Sequence, residues 1–298
     1  MKKPLRALLL ASLFLSGSAF AESTASLNRL DRIKETKILV AGYREQSIPF
    51  SYLNNGKPTG FSVELTERIA EAVRKKLNAP DVRIRWNAVT LSTRTPLLTT
   101  NTLDISCAMD THTKAREETV SFSNSFYITH TAMVVAKDLK VKALPDLQGK
   151  KLVVVAGSSV EDKLTSAITK QNWNMTVIPA RSNWAGMDMV LKGKADAFGN
   201  AESLVAAELF RHPAAEKYEI IPAGQYKEAY ACLLPKGDSE FKKLVDDVIA
   251  GMMQSGEMEA LYTKWFNQPI QPFGKSLNMP MNEASQALYK APNDTPLE

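Results

Sequence analysis

The sequence predicts an α/β fold with mainly parallel sheets, arranged as two lobes joined by a two-strand hinge. Three observations carry this expectation. Short β-rich apolar runs alternate with helical patterns through most of the chain. The alternation falls into two separate series. Two longer extended segments, 127–136 and 228–234, flank the second series where strands leading into and out of a separate lobe belong.

In the first series, Lys37 to Val40 reads as a strand. Ser62 to Leu77 reads as an amphipathic helix, with Leu65, Ile69, Val73 and Leu77 spaced by four along one face. Val82 to Val89 is the next strand, Thr95 to Thr100 a short helix, and Leu103 to Ala108 a third strand that ends in a polar turn at Asp110-Thr111-His112-Thr113. The second series begins after the loop 142–149 with the apolar strand Leu152 to Val155, a Gly157-Ser158-Ser159 turn and a helix from Val160. Met175 to Pro179 and Ala195 to Phe198 read as strands, Ala185 to Lys192 and Ala201 to Phe210 as helices, and Tyr218 to Ile221 as an edge strand. Helices at Phe241 to Met253 and Glu257 to Phe266 return to the first lobe, and the segment from Asn267 reads as an extended arm packed on it. Lobe one is therefore expected to be discontinuous, 22–130 with 232–298, and lobe two to span 131–231 with hinge strands at both ends.

The first 21 residues pair a basic start, Lys2, Lys3 and Arg6, with an apolar run from Ala7 to Leu15 and a small-residue end at Ala19-Phe20-Ala21. That is the pattern of a cleavable signal peptide, and the apolar run is shorter than the roughly 20 residues a membrane span requires. The expected location is the periplasm of a Gram-negative cell. Of the net charge of +5, three positive charges stand in this acid-free leader, so the remainder carries only +2. A surface so nearly balanced argues against nucleic acid as the main partner. The chain has two cysteines, Cys107 and Cys232. In an oxidising compartment a disulfide between them is favoured over metal ligation or two buried free thiols.

Three histidines, His112, His130 and His212, have no cysteine or carboxylate partners at metal-ligand spacing, so neither a metal nor another cofactor is expected. No nucleophile elbow or Walker loop is present. Gly157-Ser158-Ser159 stands where a strand meets a helix, a position that serves equally as a carboxylate seat and as a plain N-cap. Arginines at strand ends are more telling. Arg44 follows the first strand, Arg94 opens the helix after the second, and Arg116 stands five residues beyond Thr111. A guanidinium grips a carboxylate through two parallel hydrogen bonds, so three of them at the open ends of strands in one lobe could hold a doubly charged ligand.

The segment Gly42-Tyr43-Arg44-Glu45-Gln46-Ser47-Ile48-Pro49-Phe50-Ser51-Tyr52, the later Thr111 with Arg116 and Phe122-Ser123, and Glu228-Ala229-Tyr230-Ala231-Cys232 resemble the family-3 solute-binding proteins. The likeness is strongest to the glutamate/aspartate-binding branch and extends to the tail at Ser276-Leu277-Asn278-Met279 and Tyr289-Lys290-Ala291-Pro292-Asn293-Asp294. The resemblance implies a type II two-lobed periplasmic binding protein, a monomer that closes on its ligand and docks on an ABC permease of the inner membrane. It also implies that Arg116, Thr111 and Ser159, with Ser158 beside them, take an α-carboxylate, and that Arg44 and Arg94 take a side-chain carboxylate.

Four positions depart from the branch pattern: Leu91 and Met109 replace serines, Asn183 replaces a histidine, and Ala201 replaces the aspartate that binds the α-ammonium group. A desolvated ammonium without a counter-charge costs several kcal/mol. Either Glu202 substitutes or the ligand has no amine. The expected function is capture of an acidic or polar amino acid; the alternatives are a dicarboxylate, keto or aromatic acid and, on the same fold, a dehydratase using Glu202 as general acid. No catalytic constellation is present in the sequence, and a non-enzymatic role is expected.

Overall fold

The computed structural model describes residues 28–297, so the leader expected over 1–21 lies outside the described residues. Helix α1 (Arg29–Thr36) comes first, before β1 (Ile38–Tyr43). A small antiparallel sheet of β2 (Gln46–Ser47), β3 (Ser51–Asn54) and β4 (Lys57–Thr59) follows, then α2 (Phe61–Leu77), β5 (Arg83–Ala88), α3 (Arg94–Thr99) and β6 (Ile105–Thr111). One turn of helix, α4 (Lys114–Glu117), and β7 (Ser121–Phe122) lead into β8 (Tyr127–Ala136). The second series runs β9 (Lys151–Val155), α5 (Ser159–Lys170), β10 (Thr176–Ala180), α6 (Asn183–Leu191), β11 (Ala197–Ala201) and α7 (Glu202–Phe210). The long strand β12 (Tyr218–Leu234) then returns to the first lobe, followed by α8 (Ser239–Ser255), α9 (Glu257–Tyr262) and α10 (Glu283–Lys290).

Local sequence explains where the principal helices start and stop. Phe61, Leu65, Ile69 and Val73 lie on the buried face of α2. Its entry turns at Gly60, whose φ of 133° and close approach to the Phe50 carbonyl leave no room for a side chain. Asn78 in the left-handed region ends it. In α5, Ser158 accepts from the Glu161 N–H, and the Glu161 carboxylate reaches back to the Gly157 N–H at 2.7 Å. The valines 153–155 of β9 are buried because parallel strands flank it on both sides and helices cover both faces.

The strands form one sheet path in the order β10-β9-β11-β8-β12-β6-β1-β5. Pairs β1–β5, β1–β6, β9–β10 and β9–β11 are parallel, whereas β8 and β12 pair antiparallel with each other and with their neighbours. The molecule is two-lobed, with β8 and β12 common to both lobes. In the second lobe Tyr218 to Pro222 pairs with Ala136 to Ala132; nearer the first, Lys227 to Tyr230 pairs with His130 to Tyr127. Between these blocks five steps of β12 oppose two of β8, a bulge that contains Gly224 with a φ of 112°. Two buried clusters sandwich the second-lobe sheet. The first lobe holds an aromatic cluster in which Phe50 meets Tyr127, Phe266 and Tyr230 at centroid distances of 4.9, 5.3 and 5.7 Å. Among the described residues no helix is long and apolar enough to cross a membrane.

Three expectations change. The polar turn at 110–113 is half strand: β6 continues through Asp110 and Thr111, both buried, because β12 pairs with them at Ala231 and Tyr230. The expected edge strand at 218–221 and the returning segment at 228–234 are one continuous strand, β12. The tail is not simply an extended arm. Asn282 caps α10, which buries Leu288 and Tyr289, and the Tyr289 hydroxyl donates to the Phe126 carbonyl at 3.1 Å. Ser285 Oγ accepts from the Ile128 N–H at 3.1 Å, so the tail fastens the start of hinge strand β8.

Cys107 and Cys232 form a disulfide between neighbouring strands β6 and β12, 125 residues apart in sequence. Closing so long a loop restricts the unfolded chain by about 5 kcal/mol in the chain-entropy view, with measured values commonly at 2–5. The double variant Cys107→Ser, Cys232→Ser should lose about 2–5 kcal/mol of unfolding free energy in urea while far-ultraviolet circular dichroism stays unchanged.

Candidate functional site

The C-terminal ends of the parallel strands converge on a cleft between the lobes, the place where open α/β sheets bind ligands. Arg44 follows β1, Arg94 opens α3 after β5, Thr111 ends β6, and Arg116 lies on the turn α4. From the second lobe come Ser158 and Ser159 after β9, Asn183 at the start of α6, and Asn200 near the end of β11. These residues line one cavity, partly open to solvent, together with Ser47, Leu91, Met109, Val155, Val160, Leu204, Glu228 and Tyr230. The lobes touch across it. Thr111 Oγ1 of the first lobe stands 3.0 Å from Ser159 Oγ of the second.

Each predicted residue has a distinct setting. Arg116 donates through Nη1 to the Thr111 carbonyl at 3.0 Å, which holds its guanidinium beside the Thr111 hydroxyl. Ser158 spends its hydroxyl capping α5, so Ser159 is the serine whose hydroxyl reaches across the cleft. Asn183 accepts from Asn200 Nδ2 at 3.0 Å, and Asn200 Oδ1 takes the Ala201 N–H. Met109 has a left-handed backbone, φ 59°, a conformation costly for a residue with a side chain. It lies within an irregularity of β6, where the four steps from Ser106 to Asp110 oppose the two from Leu233 to Ala231 of β12.

Arg94 is committed to the protein itself. Its Nε forms an ion pair with the Asp110 carboxylate, its Nη1 donates to the Leu91 carbonyl, and both charged side chains are buried. Asp110 also accepts from Ser106 Oγ at 3.2 Å. Burial, and then repulsion from Arg94, pull the Arg44 guanidinium down to about 10, with Asp110 and Tyr230 acting in the opposite direction. Burial and Arg94 likewise lower Arg116, opposed by Asp110, Glu228 and Asp162. The cleft thus gathers three arginines whose buried like charges repel one another.

Comparison with known proteins names what this arrangement is part of. Residues 39–268 match the bacterial extracellular solute-binding proteins, family 3. The chain belongs to that family. It is 37% identical over 285 residues to the "Glutamate/aspartate import solute-binding protein" of Salmonella typhimurium, covering 95% of this chain and 94% of that one. It is 37% identical over 271 residues to the "L-glutamate/L-aspartate-binding protein" of Pseudomonas aeruginosa, covering 90% of each. Among solved structures, the P235GK mutant of ArgBP from T. maritima superposes with a TM-score of 0.70 at 24% identity, covering 80% of this chain and 99% of the other, and so shares the fold.

Within this family-3 cleft, one predicted residue is out of place. Glu202 is exposed and lines a separate surface groove with His130, Ile220, Pro222 and Lys227. Ala201, the last residue of β11, is fully buried; neighbouring side chains at a strand end point to opposite sides, so α7 begins with Glu202 turned away. A substitute counter-charge at Glu202 is therefore not what the fold supplies. Sequence reasoning missed Asp110, taken as part of a turn, and Glu228, which stood inside the quoted motif without a role. The latter carried a signal: it is the one acid of the apolar returning segment 228–234, and it is 1% exposed.

Asp110→Asn removes the partner of a buried arginine and should cost about 3–5 kcal/mol of stability in the ligand-free protein. Lys243→Met, at an exposed pair with Asp247, should cost under about 1 kcal/mol in the same urea titration.

Proposed function

We propose that this protein is the periplasmic receptor of an ABC importer, a monomer that captures an acidic amino acid of the glutamate and aspartate class and presents it to a membrane permease. The observation that carries the reading is the convergence of Arg44, Arg94 and Arg116 on a cleft that Thr111 and Ser159 close from opposite lobes. The names of the full-length relatives point to the same ligands. Lobe one, 22–130 with 232–298, and lobe two, 131–231, turn about β8 and β12. Arg116, Thr111 and Ser159 take the α-carboxylate. The distal carboxylate falls mainly to Arg44, because Arg94 shares its charge with Asp110.

Closure sheds water from these charge-assisted hydrogen bonds, which strengthens them as the lobes meet. The leader directs export, and hinge closure converts occupancy into a shape the permease distinguishes. The chemistry is binding without turnover.

Protein refolded free of ligand should be stabilised by about 2.7 kcal/mol when glutamate or aspartate is present at 100 times its dissociation constant. Arg116→Ala should weaken that binding by about a hundredfold in calorimetry, as loss of a bidentate charged contact implies. Absence of any shift with both amino acids would refute the reading.

A further inference from the structure

We propose that Glu228, on hinge strand β12, receives the ligand's α-ammonium group and so distinguishes amino acids from acids that lack an amine. The proposal rests on the receptor reading above and supplies what that reading lacks, a counter-charge for the amine. An ammonium drawn into a closing cleft beside three arginines needs a carboxylate at contact distance. Ala201 carries no charge and is packed in the core, Glu202 lies outside, and Asp110 is held by Arg94 and Ser106 behind the cavity wall. Among the described residues that line the cavity, Glu228 is the single carboxylate.

Its position suits the task. Glu228 Oε2 is 3.4 Å from Thr111 Oγ1, and the same hydroxyl is 3.0 Å from Ser159 Oγ. The seat assigned to the α-carboxylate therefore borders Glu228 directly, as the two charged groups on one α-carbon require. The other oxygen, Oε1, already meets an ammonium: Lys163 Nζ lies 3.3 Å away and also donates to the Lys227 carbonyl at 3.0 Å. Lys163 marks the carboxylate as an ammonium acceptor, and the ligand's amine joins it on the Thr111 side. Because Thr111 belongs to the first lobe, Lys163 to the second and Glu228 to the strand that joins them, the amine is read where closure is controlled.

The test compares glutamate with glutarate, the same chain without the amine, by calorimetry on ligand-stripped protein. The wild type should prefer glutamate by at least about tenfold, and Glu228→Gln should bring the two affinities within about threefold of each other while glutarate binds no more weakly than before. Lys163→Met, which removes the competing ammonium, should widen the preference. Should Glu228→Gln fail to fold, an unchanged or narrower preference in Lys163→Met overturns the proposal by itself. Retention of the preference in a folded Glu228→Gln protein overturns it and leaves the receptor reading intact, as does equal binding of both acids by the wild type. Failure of both ligands on the wild type sinks the receptor reading and this proposal with it.

Discussion

The antiparallel pairing of β8 with β12 is the constraint on which the rest of the structure depends. These are the strands common to both lobes, and each is committed to partners on two sides. In one lobe β8 completes the sheet beside β11; in the other β12 completes it beside β6. The ladder between them fixes how far apart the two sets of parallel strand ends can lie. The bulge around Gly224 interrupts that ladder beside the crossing, where fewer backbone hydrogen bonds resist a change of twist. The lobes are thereby joined through an interrupted ladder, and each keeps its own packed core.

Several features of the first lobe reinforce this crossing. The disulfide ties β6 to β12 next to the cleft, and the Ser123 hydroxyl donates to the Asn124 carbonyl while accepting from the Cys232 N–H. From the tail, α10 grips the start of β8 through Ser285 and Tyr289. The aromatic cluster around Phe50 includes Tyr127 of β8 and Tyr230 of β12, so the hinge strands leave the first lobe from its most densely packed region. Helix α7 adds a direct contact between lobes: Leu204 and Ala207 pack with the first-lobe core although the helix belongs to the second series.

Electrostatics in the cleft follow from the same geometry. Placing Arg44, Arg94 and Arg116 at neighbouring strand ends creates a field that attracts a carboxylate and destabilises the empty site. Asp110 relieves part of that repulsion from within the wall, which turns Arg94 from a free fork into a fixed one. Leu91 and Met109 lower the polarity of the lining and sharpen the effect of each remaining charge. The donors around the cavity are thus held in place by the protein's own contacts.

How much of this was legible in the sequence varies with the distance over which a residue's role is decided. Alternating apolar runs revealed the α/β class and most strands and long helices, because period and propensity act within a few residues. The family motif and the arginines at strand ends pointed to a carboxylate site, since a parallel strand delivers the residue after it to one edge of the sheet. The cysteine pair followed from compartment and number. Three things required the tertiary structure. Asp110 looked like turn material until β12 paired alongside it and Arg94 arrived from another element. Glu202 seemed the natural replacement for the acid missing at Ala201, yet the turn from β11 into α7 buries Ala201 in the core and puts Glu202 on a groove outside the cavity. Glu228 lies 117 residues from Thr111 and joins the site only because β12 runs beside β6. Local chemistry thus determined which elements form and which groups seek an anion; long-range strand pairing decided which acids stand among them.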